Sequence, residues 1–271
     1  QNDTKTCPDT GMAGASRSLY MDGNATIIAA NKLLAAMRKE DGTLRTYDEM
    51  KAEGIETKYL GRYETNTTPG LCRLDPNTGI GDPTPAFTYC LNLAEVEVDT
   101  KTGKTTVLKF TCVDFVGRIG NIDAVNGQAY SGIMHGIGFA LKEDYADVKK
   151  HANMFGAGTS YIKDVPDDIN LIHIDGAISD GPFGSSGASE AFQASGHCAV
   201  LNGIYNACGV RIHEIPALPE KVKAGLDAIA KGEKPYEPKK YFLGSDMYEE
   251  LENIKENPVQ VGTQSFYVSL D

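Results

Sequence analysis

Apolar positions recur at two different spacings along this chain, and each spacing predicts a different kind of element. Between residues 21 and 37 they recur every three to four positions, which predicts a helix that Arg38 closes favourably for the helix dipole. Residues 87–99 and 105–116 instead alternate and are rich in β-forming side chains, with a Gly-containing turn between them. The first part of the chain therefore predicts a long helix at 19–38, followed by a β-hairpin.

Small residues dominate the next predicted helix, residues 122–143, which contains four glycines. Each glycine weakens an isolated helix by up to ~1 kcal/mol relative to alanine, so we expect another helix or a ligand to approach this one closely. An apolar run then predicts a third long helix at 190–208. Shorter predicted elements are a strand at 171–174 and helices at 47–52, 219–231 and 245–257.

Together these elements predict an α+β fold, with helices packed on small mixed, largely antiparallel sheets. We expect one functional region over residues 1–271, built as two subdomains divided near residue 120. The polar passage 64–85 predicts a long loop, and long loops in compact proteins tend to be functional or to cover an interface. A doubly wound nucleotide fold is not expected, because the glycines do not follow a strand as G-x-G-x-x-G.

The composition of the chain argues against some classes of binding partner. The formal charge of −11 argues against nucleic acid and against an anionic membrane surface. No apolar run approaches the ~20 residues that span a bilayer, and the N-terminus lacks the apolar core of a signal peptide. These features favour a cytoplasmic chain. Because the sequence begins at Gln1 rather than at methionine, we expect a fragment or a processed piece.

The cysteines are scattered and never form a C-x-x-C pair, so neither an iron–sulfur cluster nor a structural zinc site is supported. Cysteines spread in this way are most often buried small side chains of a reducing compartment. They stand at positions 7, 72, 90, 112, 198 and 208.

Three Gly- and Ser-rich segments are candidates for a binding site: GASRS at 14–18, VNGQAYSGIMHGIG at 125–138 and GPFGSSGASE at 181–190. Backbone N–H groups in such loops can approach a polyanion without side-chain obstruction, and a following helix N-terminus adds further donors. Each segment alone also has a plain structural explanation. The first is a Ser-rich helix entry, His135 is a buried histidine with its partners satisfied, and Glu190 is a first-turn carboxylate favoured by the helix dipole.

In this order, the three segments resemble the second half of the molybdenum-binding region of the xanthine oxidase family, with the closest match to its aldehyde oxidoreductases. The resemblance continues through CGVRIHEIPALP at 208–219 and KYFLG at 240–244, and it covers nearly the whole chain. It implies the oxidation of aldehydes to carboxylic acids with water as the oxygen source. The implied cofactor is a molybdopterin with molybdenum, in its cytosine dinucleotide form. The family's protein need not ligate the metal, so we assign no metal ligand.

The resemblance also implies roles for single residues. Glu190 matches the family's catalytic glutamate, a base that removes a proton as oxygen is transferred to the substrate carbonyl carbon. Gln128 and His135 lie two helical turns apart and share a face, and His135 stands where many relatives carry glutamine. The residues that match cofactor-binding positions are Ala15, Ser16, Arg17, Ser18, Gln128, His135, Ser186 and Gly187. We expect all three segments to converge on one cleft.

The implied partners are the parts of the parent enzyme that this chain lacks. Relatives carry two [2Fe–2S] domains and a first half of the molybdenum region, which helps to form the pocket for a small-molecule aldehyde. A homodimer is left open. Two alternatives also remain: an isolated, non-catalytic cofactor-binding or structural fragment, and part of a hydroxylase of purines or other heterocycles, which shares the glutamate.

Overall fold

A computed structural model of the chain describes residues 3, 5–7, 13–65, 75, 77–82, 84–147, 149–233 and 256. The motif at 240–244 and the predicted helix 245–257, except residue 256, lie outside the described residues, as do residues 66–74, 76 and 83 of the predicted loop 64–85. The elements follow in chain order: α1 (Ser18–Met37), α2 (Tyr47–Ala52), β1 (Tyr89–Val98), β2 (Thr105–Phe115), α3 (Ile122–Leu141), β3 (Asp168–His173), α4 (Ser189–Ala194), α5 (Gly196–Cys208) and α6 (Pro219–Ala230).

The three strands form one sheet in the order β1-β2-β3. β1 and β2 are an antiparallel hairpin whose register runs from Tyr89 opposite Phe115 to Val98 opposite Thr105, and the shorter β2–β3 pairing is parallel. Gly103 closes the hairpin turn with a φ of 78°, a conformation that favours glycine. The predicted hairpin and the predicted α+β class with a mixed sheet are confirmed.

The inner face of the sheet packs against α3, α4 and α5 around a core in which Phe110, Ile133 and Phe192 are fully buried. Glycines allow this close packing. A Cβ on Gly132 would lie 2.5 Å from the Phe192 Cβ, and one on Gly136 would lie 2.9 Å from the Gly196 Cα. The expected close approach to the glycine-rich helix is therefore made by other helices of the same chain.

The predicted helix 190–208 is interrupted. Ser195 leaves the helical region, with φ −126° and ψ 2°, and separates α4 from α5. Two contacts hold the break in place. The Gly196 backbone lies against Gly136, and the Ser195 Oγ accepts a hydrogen bond from the Asn92 Nδ2 at 2.9 Å. The apolar pattern alone could not reveal this break, because both halves continue the same buried stripe.

The outer face of the sheet is apolar but uncovered by other described residues. On β1 this face consists of Tyr89, Leu91 and Leu93, which are 58–66% exposed. On β3, at the other side of β2, the same face includes the exposed Ile172. We call these four residues, with the neighbouring Ile174, the outer apolar face. None of the helices in the described part of the chain is long and apolar enough to cross a membrane. The division into two subdomains near residue 120 stays a prediction.

Candidate functional site

A cavity of about 790 Å³ opens between the N-terminal end of α1, the start of β1 and the segment that leads into α4. Its volume lies within the range of small-molecule and cofactor sites. Two of the three predicted segments form its walls. The lining residues are Gly14, Ala15, Ser16, Arg17, Tyr20, Met21, Thr65, Thr84, Pro85, Ala86, Thr88, Tyr89, Cys90, Ser186, Gly187, Glu190, Ala191, Ala194 and Ser195.

The first wall is the turn before α1. Ala15 and Ser16 have φ values of 53° and 56°, a left-handed conformation that costs an L-residue roughly 1–2 kcal/mol. Helix α1 then begins at Ser18 without a side-chain cap, and its first turn carries no acidic residue. Strained turns that lead into an uncapped helix N-terminus present several backbone N–H groups in one direction. This wall suits an anionic ligand.

The second wall is the loop before α4. Phe183 has a φ of 54°, and Asp180 has one of 62°. With Ala15 and Ser16, these are the non-glycine residues that have positive φ in the described part of the chain. Ser185 anchors the loop, because its buried hydroxyl donates to the Arg118 carbonyl oxygen at 2.7 Å. Asp180 and Phe183 precede the lining residues Ser186 and Gly187, so both loops that border the cavity contain strained backbone, as many functional sites do.

Ser16 joins the two walls directly. Its Oγ accepts a hydrogen bond from the Glu190 backbone N–H at 2.9 Å, and it lies 2.8 Å from the Ser189 Oγ. Helix α4, which lacks a cap from its own N-cap residue, is therefore capped by a residue from the far end of the chain. Gly187 completes the contact, since a Cβ at that position would lie 1.8 Å from the Ser16 carbonyl oxygen.

Glu190 lies in the first turn of α4, where its backbone is held by Ser16 and its side chain is exposed at the cavity. A position in the first turn agrees with the view that Glu190 is a carboxylate favoured by the helix dipole. Exposure toward a cavity between two strained loops is what a base requires, because a general base must reach the proton that it removes. The hydrogen bond to Ser16 holds the backbone from which the Glu190 side chain extends.

Tyr20 is a cavity residue that the sequence pattern did not single out. It is buried, and its ring packs edge-to-face on the Tyr63 ring with the centroids 6.1 Å apart. Burial and the neighbouring Tyr63 hydroxyl raise the pKa of the Tyr20 phenol above its ordinary value, so the hydroxyl stays neutral. A neutral phenol can donate a hydrogen bond to a ligand in the cavity.

The structure does not bring every predicted residue to the cavity. Ser18, Gln128 and His135 are not among the lining residues. Gln128 and His135 share an exposed face of α3, where the His135 ring packs edge-to-face on Phe139 at 6.2 Å. The predicted cleft is thus formed by the first and third segments, without the second. The assignment of Ser18, Gln128 and His135 to cofactor binding stays a prediction.

The predictions from the sequence also did not include a buried polar network at the end of the sheet. The Asp114 Oδ2 lies 2.7 Å from the His173 Nδ1, and the His173 Nε2 lies 2.8 Å from the Asn126 Oδ1. Burial raises the pKa of Asp114, and the hydrogen bond with His173 opposes this shift. A signal was present in the sequence, because Asp114 occupies an inward position of an alternating strand. Among the described residues, no three His, Cys, Asp or Glu side chains are grouped as metal ligands.

The chain is similar in sequence to a known family and to several known enzymes. The family described as molybdopterin cofactor-binding domain matches residues 1–166. An aldehyde oxidoreductase from Megalodesulfovibrio gigas is 43% identical over 225 residues, which are 83% of this chain and 24% of that protein. A probable hypoxanthine oxidase from Escherichia coli is 30% identical over 151 residues, which are 54% of this chain and 16% of that protein.

Solved structures agree with the sequence matches. The crystal structure of the aldehyde oxidoreductase from Desulfovibrio desulfuricans superposes with a TM-score of 0.77 at 46% identity, covering 82% of this chain and 24% of that one. The chain therefore spans about a quarter of the length of the aldehyde oxidoreductases that it matches.

Proposed function

Because this chain belongs to the molybdopterin cofactor-binding domains of the xanthine oxidase family, we propose that it is the C-terminal part of a molybdenum-dependent aldehyde oxidoreductase. One observation carries the proposal: two distant loops, both strained and tied together by Ser16, enclose one cavity with Glu190 at its edge. Identity favours aldehydes over purines, since the match to the aldehyde oxidoreductase is 43% over 225 residues and that to the probable hypoxanthine oxidase is 30% over 151 residues.

The described residues fit a molybdopterin. The turn at Ala15 and Ser16 and the N-terminus of α1 offer backbone donors to its phosphates and pterin. Gly187 lets the second loop lie against the first, where any larger residue would collide with a carbonyl oxygen. Tyr20 adds a neutral, buried hydroxyl on the same cavity. We infer the cytosine dinucleotide form from the family resemblance, with Ser186 and Arg17 as further contacts.

The cofactor, when bound, supplies the two-electron oxidation chemistry. The protein's part in the reaction is to bind, to orient and to move a proton. The Glu190 carboxylate takes the proton released as water-derived oxygen is transferred to the aldehyde carbon. Ser16 holds the Glu190 backbone at the cavity, which keeps the carboxylate within reach of a bound substrate.

The partners of the chain are the parts of the parent enzyme that lie outside it. We infer a first half of the molybdenum region and two [2Fe–2S] domains, which accept the electrons. The outer apolar face gives this inference a physical basis, because a sheet face with several large exposed apolar side chains is usually covered by another domain. The isolated chain, which lacks these parts, is then an inactive fragment.

The test compares the complete parent enzyme with the isolated chain. The complete enzyme should contain molybdenum and pterin and should oxidise aldehydes with a dye acceptor, whereas the isolated chain should show no turnover. Steady turnover by the isolated chain would contradict the fragment assignment. A loaded enzyme that oxidises purines but no aldehyde would contradict the substrate class.

A matched pair of glycine variants separates the cavity from general stability. Gly187→Ala places a Cβ 1.8 Å from the Ser16 carbonyl oxygen, and Gly127→Ala meets nothing within 4 Å. We expect the first variant to lose cofactor and the second to keep it. Normal molybdenum content in a folded Gly187→Ala enzyme would argue against the proposed site.

A further inference from the structure

Two thiols meet at the wall of the cavity. Cys90 of β1 and Cys112 of β2 have their Sγ atoms 3.4 Å apart. The strand register sets Cys90 opposite Asp114 and Cys112 opposite Asn92, so the two cysteines are diagonal neighbours on the core-facing side of the hairpin. Cys90 is partly exposed and lines the cavity, whereas Cys112 is fully buried.

The surroundings make the two thiols chemically unequal. The hydrogen bond with Cys112 lowers the pKa of the Cys90 thiol below its ordinary value, although burial and the Asp114 charge oppose the shift. The same hydrogen bond, together with burial, raises the pKa of the Cys112 thiol. Because Cys90 borders the cavity and Cys112 is enclosed by the core, an oxidant reaches the Cys90 thiol first. Cys112, which stays protonated, lies in contact with the Cys90 sulfur.

We propose that Cys90 is a peroxide-sensitive modification site and that Cys112 is its resolving thiol. In the first step the Cys90 thiolate attacks hydrogen peroxide: an S–O bond forms, the O–O bond breaks and hydroxide leaves, which gives a sulfenic acid. In the second step the Cys112 sulfur attacks the Cys90 sulfur. An S–S bond forms, the S–O bond breaks and the hydroxyl group leaves as water with the Cys112 proton. In total, two thiols and one peroxide give one disulfide and two waters.

The geometry allows the second step if β1 moves toward β2. The two sulfur atoms must close from 3.4 Å to the ~2.05 Å of a disulfide bond. The Cα atoms of diagonal cross-strand residues lie about 7–8 Å apart, beyond the roughly 4.4–6.8 Å usual for a disulfide, so the backbone must shift as well. β1 can supply this shift, because it is the edge strand of the sheet and Cys90 borders the cavity, whereas Cys112 is enclosed by the core. A bond formed under such strain should be readily reduced again.

The cross-link would act on the cavity itself. Cys90 lines it directly, and Asn92, two residues along the same strand, holds the cavity residue Ser195 through a hydrogen bond of 2.9 Å. Oxidation removes the Cys90 thiol from the cavity wall and pulls β1 toward β2. Without Cys112, further oxidation of Cys90 would lead to irreversible products. This inference does not depend on the cofactor or on the proposed reaction.

The first experiment needs no variant. The full chain, reduced and freed of reductant, is treated with hydrogen peroxide under native conditions, alkylated in denaturant and mapped by mass spectrometry without reduction. We expect a cross-linked Cys90–Cys112 peptide that has lost two hydrogens and that disappears after dithiothreitol. The exposed Cys7 and Cys198 serve as internal controls for general reactivity. Oxidation confined to these two, with Cys90 and Cys112 alkylated, would overturn the proposal.

A second experiment tests which thiol reacts first. Replacing the resolving thiol, Cys112→Ser, should abolish the cross-link and let dimedone label accumulate on Cys90. The matched variant Cys208→Ser, on α5, should leave the cross-link unchanged. Dimedone label on Cys112 in a Cys90→Ser chain would contradict the assigned order. Should Cys112→Ser fail to fold, the map of the unaltered chain decides the proposal.

Discussion

Ser16 shows how much of the site depends on one side chain. It carries a strained φ of 56°, accepts a hydrogen bond from the backbone of Glu190 and packs its carbonyl oxygen against Gly187. The sequence indicated Ser16 as a ligand-binding residue through its resemblance to a family motif. Its role in capping α4 could not be predicted, because the two segments lie 173 residues apart and no local pattern links them. The hydrogen bond between Asp114 and His173 could not be predicted for the same reason, although Asp114 itself stood out as an inward carboxylate of an alternating strand.

Glu190 provides the sharpest residue-scale prediction. Glu190→Gln keeps the size of the side chain but cannot accept the proton, so turnover of the complete enzyme should fall by about 10²–10⁴-fold at normal molybdenum content. Glu220→Gln is the matched control, since Glu220 is also exposed in the first turn of a helix. That control should change stability by at most ~1 kcal/mol and leave turnover intact. Full activity in a loaded Glu190→Gln enzyme would end the catalytic assignment.

Asp114 predicts a pH dependence of stability. Its pKa is raised by burial in the folded chain. A carboxyl group with a raised pKa favours folding below its unfolded pKa of ~3.9, and that contribution is lost as the pH rises through the folded pKa. The unfolding free energy of the wild type should therefore decline relative to Asp114→Asn above about pH 4. Urea denaturation at a series of pH values measures this, and a difference that stays constant with pH would contradict it.

Helix α3 shows what the sequence could and could not predict at the scale of elements. Its position was predicted almost to the residue, because a continuous run of small and apolar residues marks it. The hairpin was equally clear from its alternation. Two features could not be predicted: the break at Ser195, and the position of Gln128 and His135 away from the cavity. Both depend on which face of α3 meets α4 and α5, and that packing is set by Gly132 and Gly136.

Two glycines of α3 provide a matched test of this packing. Gly132→Ala would place a Cβ 2.5 Å from the Phe192 Cβ, and overpacking of this kind costs about 1–3 kcal/mol. Gly127→Ala meets open space and should instead stabilise the helix by up to ~1 kcal/mol. Thermal or urea unfolding of the two variants measures the difference. Equal effects would show that α3 does not pack on α4 as described.

The outer apolar face is the feature that matters most at the scale of the whole molecule. Tyr89, Leu91 and Leu93 alternate along β1 with side chains that enter the core, so one strand connects the outer surface to the inner packing. The chain spans about a quarter of the length of its aldehyde oxidoreductase relatives. A surface of this kind is expected where the rest of a larger enzyme docks.

Leu91→Lys tests that docking. A charge in a covered apolar interface is costly to bury, so the variant should fail to assemble with the remaining parts of the enzyme while its own unfolding temperature stays nearly unchanged. Ile162→Lys is the matched control, because Ile162 is 83% exposed and lies outside the outer apolar face. Size-exclusion chromatography of the co-expressed parts gives the readout. Unimpaired assembly of Leu91→Lys would place the interface elsewhere.

The central claim is that the loops around Ser16 and Gly187 form the molybdopterin site, with Glu190 directed at the metal. The most direct test is a crystal structure of the complete enzyme, with molybdenum located by its anomalous scattering. We predict a metal peak in the described cavity, with the Glu190 carboxylate within hydrogen-bond reach of a metal ligand, directly or through one water. The pterin should accept from backbone N–H groups near Ala15 and Ser16. A metal peak in another part of the molecule, with this cavity holding only solvent, would contradict the account.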